Sequence, residues 1–173
     1  MRIPAVLLAA GIVLGGLLAP ISGYAQYPSR PIKLLVSSAP GSGPDTIARV
    51  LGERLSPLLG QAVVVENRAG SNGNIATDVT AKSAPDGYTV VIVSDSMIVI
   101  NPHLYAKLPL DTMKDLVPVA TVASNTFFLS VHPSVPVKNF QEFVEYAKKA
   151  NPPLSYASAG NGSQHQMAME MLK

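Results

Sequence analysis

Three short loops hold the residues of this chain whose types and spacing suit chemistry. The first is Ala39-Pro40-Gly41-Ser42-Gly43-Pro44-Asp45. Gly41 and Gly43 carry no side chains, so backbone N–H groups there can approach a ligand closely. Pro44 suits the first turn of a helix, which would aim the positive helix end at the same spot. Two readings stand for this loop: an anion site, or a plain strand–helix turn in which Asp45 complements the helix dipole. The second loop is Ser94-Asp95-Ser96, whose hydroxyls either bond a ligand or cap backbone groups. The third is Ala159-Gly160-Asn161-Gly162-Ser163-Gln164-His165, where Ser163 and Gln166 form a capping box that accounts for Ser163 without any ligand.

Other chemistries fail on spacing. After Gly41-Ser42-Gly43 a dinucleotide fingerprint needs glycine at position 46, which is threonine, and no Gly-Lys-Ser/Thr occurs for a P-loop. The stretch from Ser37 to Ala48 contains no Lys or Arg, which disfavours a polyphosphate. It leaves a singly charged group such as a carboxylate, held by neutral donors. His103, His132 and His165 are widely separated, no H-x-x-x-H occurs, and no G-x-S-x-G elbow is present. His165, within one turn of a helix start, is the best single titratable residue, although a lone histidine is usually structural. With no cysteine, thiol catalysis and Cys-ligated metals are excluded. No catalytic constellation assembles, so a non-enzymatic role without metal or cofactor is expected. An exported hydrolase using Ser163 with His165 is the rival reading.

The elements that must position these loops alternate. Ile32–Val36 reads as a strand, followed from Pro44 by a helix with Ile47, Ala48, Leu51, Leu55, Leu58 and Leu59 on one stripe and Gly60 as its stop. Ala62–Glu66 reads as a second strand, and a polar loop from Asn67 to Gly73 opens a helix carrying Ile75 and Val79. Pro85-Asp86-Gly87 is a turn into a third strand, Tyr88–Val93. Strand–helix–strand–helix–strand predicts a parallel sheet with crossover helices, whose ligands bind at the carboxyl ends of the strands. Residues 101–115 read as irregular. Val117–Val122 and Phe127–Val131 read as strands flanking a crossing at Ala123–Thr126. Asn139 with Glu142 caps a further helix bearing Phe140, Phe143, Val144 and Ala147. Leu154–Ser158 reads as another strand, and a last helix is still running at Lys173.

The amino terminus reads as an address. Met1-Arg2 is a short basic region, Ile3–Ile21 is apolar and uncharged, and Gly23-Tyr24-Ala25 fits a cleavage site before Gln26. The competing reading, a membrane anchor, is disfavoured by Gly, Pro and Ser near the end of the run and by the absence of a basic stop-transfer segment. The chain has 13 Lys/Arg, one of them Arg2, against 11 Asp/Glu, so the mature part is nearly neutral. No basic cluster remains for nucleic acid.

Several motifs then carry a resemblance. They are Tyr27-Pro28-Ser29-Arg30-Pro31-Ile32 with the Ala39–Asp45 loop, Val65-Glu66-Asn67-Arg68-Ala69-Gly70 with Gly73-Asn74-Ile75, Ala84-Pro85-Asp86-Gly87-Tyr88, Ile100-Asn101-Pro102, and Tyr156 through Ser163 with His165. In this order they resemble the tripartite tricarboxylate transporter substrate-binding receptors, the Bug-type family. The resemblance implies an α/β, type II periplasmic-binding-protein-like fold of two lobes joined by a hinge. Residues 1–25 would be the signal peptide, 26–124 the first lobe, and 125–173 the start of an incomplete second lobe. It implies a periplasmic receptor, monomeric, that takes a small organic carboxylate and hands it to membrane permease subunits; a carboxylate-sensing subunit for a signalling system is the alternative. The ligand-binding residues so implied are Gly41, Ser42, Gly43, Asp45, Gly160, Asn161 and Ser163, with Ser96 implied less specifically. The segment Ser37-Ser38-Ala39-Pro40 departs from the aromatic many relatives carry there, so a different pocket shape is expected.

Overall fold

The computed structural model describes residues 26–173. The signal-peptide reading falls on residues 1–25 and lies outside them. No helix among the described residues is long and apolar enough to cross a membrane.

Strand β1 (Ile32–Val36) is the centre of a three-stranded parallel sheet. It pairs with β2 (Val63–Asn67) on one side, Leu34 opposite Val65, and with β3 (Thr89–Ile92) on the other, Leu34 opposite Val90. Leu34, Leu35 and Val36 are all buried, as a strand covered on both faces requires. Helix α1 (Gly43–Leu59) makes the crossover from β1 to β2. Its Ala48 joins Leu34 and Val36 in the core, with Leu51, Val63, Val65, Val90 and Ile92 packed around them. Gly52, one turn after Ala48, lets the helix lie close on β2, because a Cβ there would stand 3.3 Å from the Val63 carbonyl oxygen. Ser56 then ties the helix to the next strand: its hydroxyl donates to Gly52 O (2.6 Å) and accepts from Val63 N–H (3.0 Å). Gly60 ends α1 in the left-handed region, where glycine is at no steric cost. The expected stripe is thus shorter than its sequence pattern. Leu58 is 80% exposed, in a last turn that also contains Pro57 and runs beyond the sheet-covering Ala48–Gly52 face.

A 3-10 turn (Ser71–Gly73) leads into α2 (Asn74–Ala81). The helix expected here forms; its buried face is Asn74, Ala76 and Thr77, whereas Ile75 and Val79 are exposed. Small residues allow the close approach, and Thr77 Oγ1 returns bonds to the Gly73 and Asn74 carbonyls. Two short helices follow β3, α3 (Asp95–Val99) and α4 (Asn101–Leu104), so part of the segment expected to be irregular is helical. The entering chain is strapped to the turn before β3. Tyr27 donates to Gly87 O (2.7 Å), Ser29 N–H to the Tyr88 hydroxyl (2.8 Å), and Arg30 pairs with Asp86 (2.8 Å) over the Tyr88 ring.

Beyond α4 the expected strands Val117–Val122, Phe127–Val131 and Leu154–Ser158 are not in a ladder. A strand needs a neighbour to take its N–H and C=O groups. Among the described residues none pairs with these segments, and side chains such as Phe128 (87% exposed) face outward. The caps, by contrast, form as expected. Glu142 N–H donates to Asn139 Oδ1 (2.9 Å) at the start of α5 (Phe140–Lys149), and Asn139 Nδ2 donates back to Glu142 Oε1 (2.8 Å). Helix α6 (Gln164–Leu172) opens the same way: Gln166 N–H donates to Ser163 Oγ (3.3 Å) and Gly162 N–H to Gln166 Oε1 (2.7 Å).

Candidate functional site

Because all three strands run parallel, the loops after β1, β2 and β3 leave from one edge of the sheet. The β1 loop is fixed at both ends. Ser37 Oγ donates to Ile92 O on β3 (3.1 Å), and the Ser38 and Ser42 hydroxyls share a 2.7 Å bond. Gly41 takes φ +78°, a backbone conformation that favours glycine. Ser42 is the N-cap of α1, yet its hydroxyl bonds no helix N–H, so the helix begins at Gly43 without a side-chain cap. Open space lies in front of Gly43, where an added Cβ would meet nothing within 4 Å.

Asp45 does not face that space as a free group. It is 2% exposed, and both oxygens are engaged inside the protein. Oδ2 accepts from Gly41 N–H (2.8 Å) and Arg49 Nε (3.0 Å), and Oδ1 accepts from Asn67 Nδ2 (2.8 Å). The Arg49 bond first, then Gly41 N–H and Asn67, hold its carboxyl down to a pKa of about 2, against a smaller opposing effect of burial. Gly41 N–H is therefore committed to Asp45, and Ser42 N–H bonds Ala39 O (3.3 Å). The open donors of this loop centre on Gly43 and the first turn behind it.

After β3, Ser96 is buried, and its hydroxyl shares a 2.7 Å bond with that of Ser94, while Asp95 Oδ1 accepts from Ser96 N–H (2.9 Å). The two serine hydroxyls of this loop thus bond each other rather than a helix N–H, and Asp95 supplies the side-chain bond to the backbone. The Gly160–Ser163 loop comes to the same edge from a distant part of the chain. Gly162 lies beside Asn72 and Asn101, Tyr105 donates its hydroxyl proton to Asn161 O (3.2 Å), and Gln164 Nε2 donates to Asp95 Oδ1. Gly160 (φ +114°) has open space around it and Asn161 is exposed. Ser163 is buried with its hydroxyl used as the α6 cap. His165 stacks edge-on against Phe127 at 4.6 Å between ring centres.

The residues that sequence reasoning missed are mainly amides. Asn101 is fully buried and bonds Asn72 twice: its Oδ1 accepts from Asn72 Nδ2 (2.8 Å) and its Nδ2 donates to Asn72 O (3.2 Å). The same Nδ2 donates to Asn74 Oδ1 (2.6 Å). Three asparagines spread over thirty positions have no periodicity that brings them together; the only signal was the place of Asn74 and Asn101 in the motifs Gly73-Asn74-Ile75 and Ile100-Asn101-Pro102, and Asn72 had none. Arg49 and Asn67 were likewise not singled out.

A parallel α/β lobe with glycine loops gathered at its carboxyl edge is the architecture of a periplasmic-binding-protein lobe. Solved structures of that class match it: the R. palustris protein Rpa4515 with adipate (TM-score 0.67, 35% identity, 71% of this chain and 41% of that one), and the periplasmic binding protein BugD (0.66, 30%, 84% and 50%). MatC from Rhodopseudomonas palustris with bound malate matches at 0.61 and 28% identity over 71% of this chain and 42% of that one. Residues 47–173 match the model of the tripartite tricarboxylate transporter family receptor, and the chain belongs to that family. Protein BugT of Bordetella pertussis is 37% identical over 163 residues, covering 94% of this chain and 50% of BugT. The chain spans about half the length of the curated relatives it matches.

Proposed function

We propose that the protein is a periplasmic solute-binding receptor that captures a small organic di- or tricarboxylate and delivers it to the permease subunits of a tripartite tricarboxylate-type transporter. In this reading residues 1–25 are a signal peptide removed before Gln26, residues 26–124 are the first lobe, and 125–173 begin the second. The receptor works as a monomer. The observation that carries the reading is the arrival of the Gly160–Ser163 loop at the sheet edge from which the uncapped Gly43 helix end starts, held there by the Tyr105–Asn161 and Gln164–Asp95 hydrogen bonds. Gly43 with the following turn, and Gly160 with Asn161, are the groups with room for a ligand; Gly41, Ser42, Asp45, Ser96 and Ser163 shape the loops around it.

Adipate and malate in the two solved receptors suit such a site, because each presents carboxylates that neutral donors can hold. A carboxylate at a helix amino end gains about 0.3–1 kcal/mol, rising to about 2 when partly buried. Hydrogen bonds to a charged group contribute about 1.5–3 kcal/mol each. Three or four such bonds with two helix ends reach the roughly 8 kcal/mol of a micromolar complex. The test is mass spectrometry of whatever stays bound through native purification of the protein as its gene encodes it. A stoichiometric di- or tricarboxylate is the expected result; a bound sugar or polyamine instead would contradict the reading.

A further inference from the structure

Three side chains lock the β1 loop without facing the open space in front of Gly43. Asp45 sits in the first turn of α1, Arg49 one turn later on the same helix, and Asn67 is the last residue of β2. Asp45 bonds Arg49 Nε (3.0 Å) and Asn67 Nδ2 (2.8 Å), and Arg49 Nη2 closes the ring on Asn67 Oδ1 (3.2 Å). Two backbone groups of the loop hang from this ring. Gly41 N–H donates to Asp45 Oδ2 (2.8 Å), and Asn67 Nδ2 donates to Ser38 O (3.1 Å). The ring therefore grips the loop on both sides of its turn and ties it to two elements of the sheet layer.

We infer that the Asp45–Arg49–Asn67 ring is a positioning device that sets the affinity of the carboxylate site through the loop, without itself touching the ligand. The inference rests on the receptor reading above. Asp45 has spent both oxygens, so it offers no acceptor to a ligand and its charge is matched by Arg49 rather than opposed to an incoming carboxylate. A guanidinium is required at 49 because one planar fork reaches Asp45 through Nε and Asn67 through Nη2 at once; an ammonium is a single point and cannot reproduce both bonds in that geometry. Arg49's side chain is 55% exposed but Asp45's is only 3%, so removing the guanidinium leaves a buried carboxylate short of one donor and costs some stability as well as loop order. Its loss should therefore loosen the loop, and the effect on binding is read on protein that remains folded.

The experiment uses the full protein with Arg49→Gln and Arg49→Lys, and Asp45→Asn as a third variant, adipate and malate as probes, and the Gly41 amide proton followed by NMR without ligand. The expected result is a Kd raised about tenfold by Arg49→Gln, less than the roughly hundredfold that a 1 Å misplacement costs a reaction, in protein that melts at a lower temperature but stays folded at the assay temperature, with the Gly41 amide losing protection from exchange. Arg49→Lys should remain close to the Gln variant. Full rescue by Lys would overturn the inference, because a positive charge alone would then suffice. So would a Gly41 amide released in Arg49→Gln with no change in affinity, although the receptor reading would survive. If the wild-type protein binds neither these probes nor any other carboxylate, the receptor reading fails and the inference falls with it, whatever the Gly41 amide does. Because Asp45→Asn sets an amide donor against the Asn67 donor, that variant may be discarded if unfolded; the two Arg49 substitutions decide the matter.

Discussion

Gly162 packs against Asn101 so closely that a Cβ on the glycine would stand 3.1 Å from Asn101 Oδ1. The same added carbon would lie 2.9 Å from Leu104 Cδ2 and 3.2 Å from Asn72 Nδ2, and φ at Gly162 is +82°. Residues more than sixty positions apart thus meet over a buried amide whose oxygen is bonded to Asn72 and whose nitrogen is bonded to Asn72 and Asn74. The contact joins the last loop of the chain to the edge of the first sheet.

Gly162→Ala should break that junction. The left-handed conformation costs a non-glycine residue about 1–2 kcal/mol, and Asn101, buried and bonded to Asn72 and Asn74, has little room to yield. We expect loss of the Tyr105–Asn161 and Gln164–Asp95 contacts, seen as shifts in the Asn101 and Gln164 side-chain amide resonances. An unchanged spectrum at both amides would contradict the packing described.

At Gly43 the geometry makes the opposite demand. A side chain there meets nothing in the protein and φ is not in the left-handed region, so Gly43→Val should leave stability within about 1 kcal/mol, the usual helix-propensity range. Carboxylate affinity should fall by more than tenfold, or about 1.4 kcal/mol, because the isopropyl group stands before the helix end. Calorimetry alongside thermal unfolding separates the two effects; equal affinity for both proteins would remove Gly43 from the site.

Acid should act on the loop through Asp45. Its carboxyl titrates at about 2 in the fold against 3.8 ordinarily, with Arg49, Gly41 N–H and Asn67 as the causes. The unfolded chain then binds more protons across this interval, so the stabilisation is complete above pH ~4 and is lost as pH falls toward ~2. Wild type and Asp45→Asn should differ more in melting temperature at pH 6 than near pH 2, where only the cost of the introduced amide against its donor neighbours remains. Glu66, Asp111 and Glu170 are also held below their usual values, but they are common to both proteins and cancel in the difference. A gap that persists undiminished at pH 2 would show that the carboxylate's charge is not what matters.

What was legible in the sequence followed from local rules. The three strands stand within a residue of their expected bounds because apolar β-branched runs ended by Gly, Pro or polar clusters are self-contained signals. The Asn139–Glu142 and Ser163–Gln166 caps were readable because both partners lie within one turn. The errors arose where a partner decides the outcome. Val117–Val122 has the composition of a strand, but extended chain becomes sheet only beside another strand. Ile75 and Val79 mark an apolar helix face, yet α2 turns the small Ala76 and Thr77 inward, a choice made by the space available. The surroundings of Asp45 depend on partners in the same way. Its place after Gly43 suggested a helix-dipole complement and the family resemblance a ligand contact; the bonds to Arg49 and Asn67, one of them on another element, are legible in neither.

The central claim is that neutral backbone donors at this sheet edge hold an organic carboxylate. It is tested most directly by titration calorimetry of the protein with adipate, malate and citrate, alongside a neutral sugar and a diamine of similar size. The account predicts saturable, one-site binding of at least one of the three acids, weakened at a pH low enough to protonate the ligand, and no heat from the sugar or the diamine. Saturable binding of the sugar or the diamine, with no response to any acid, would contradict it.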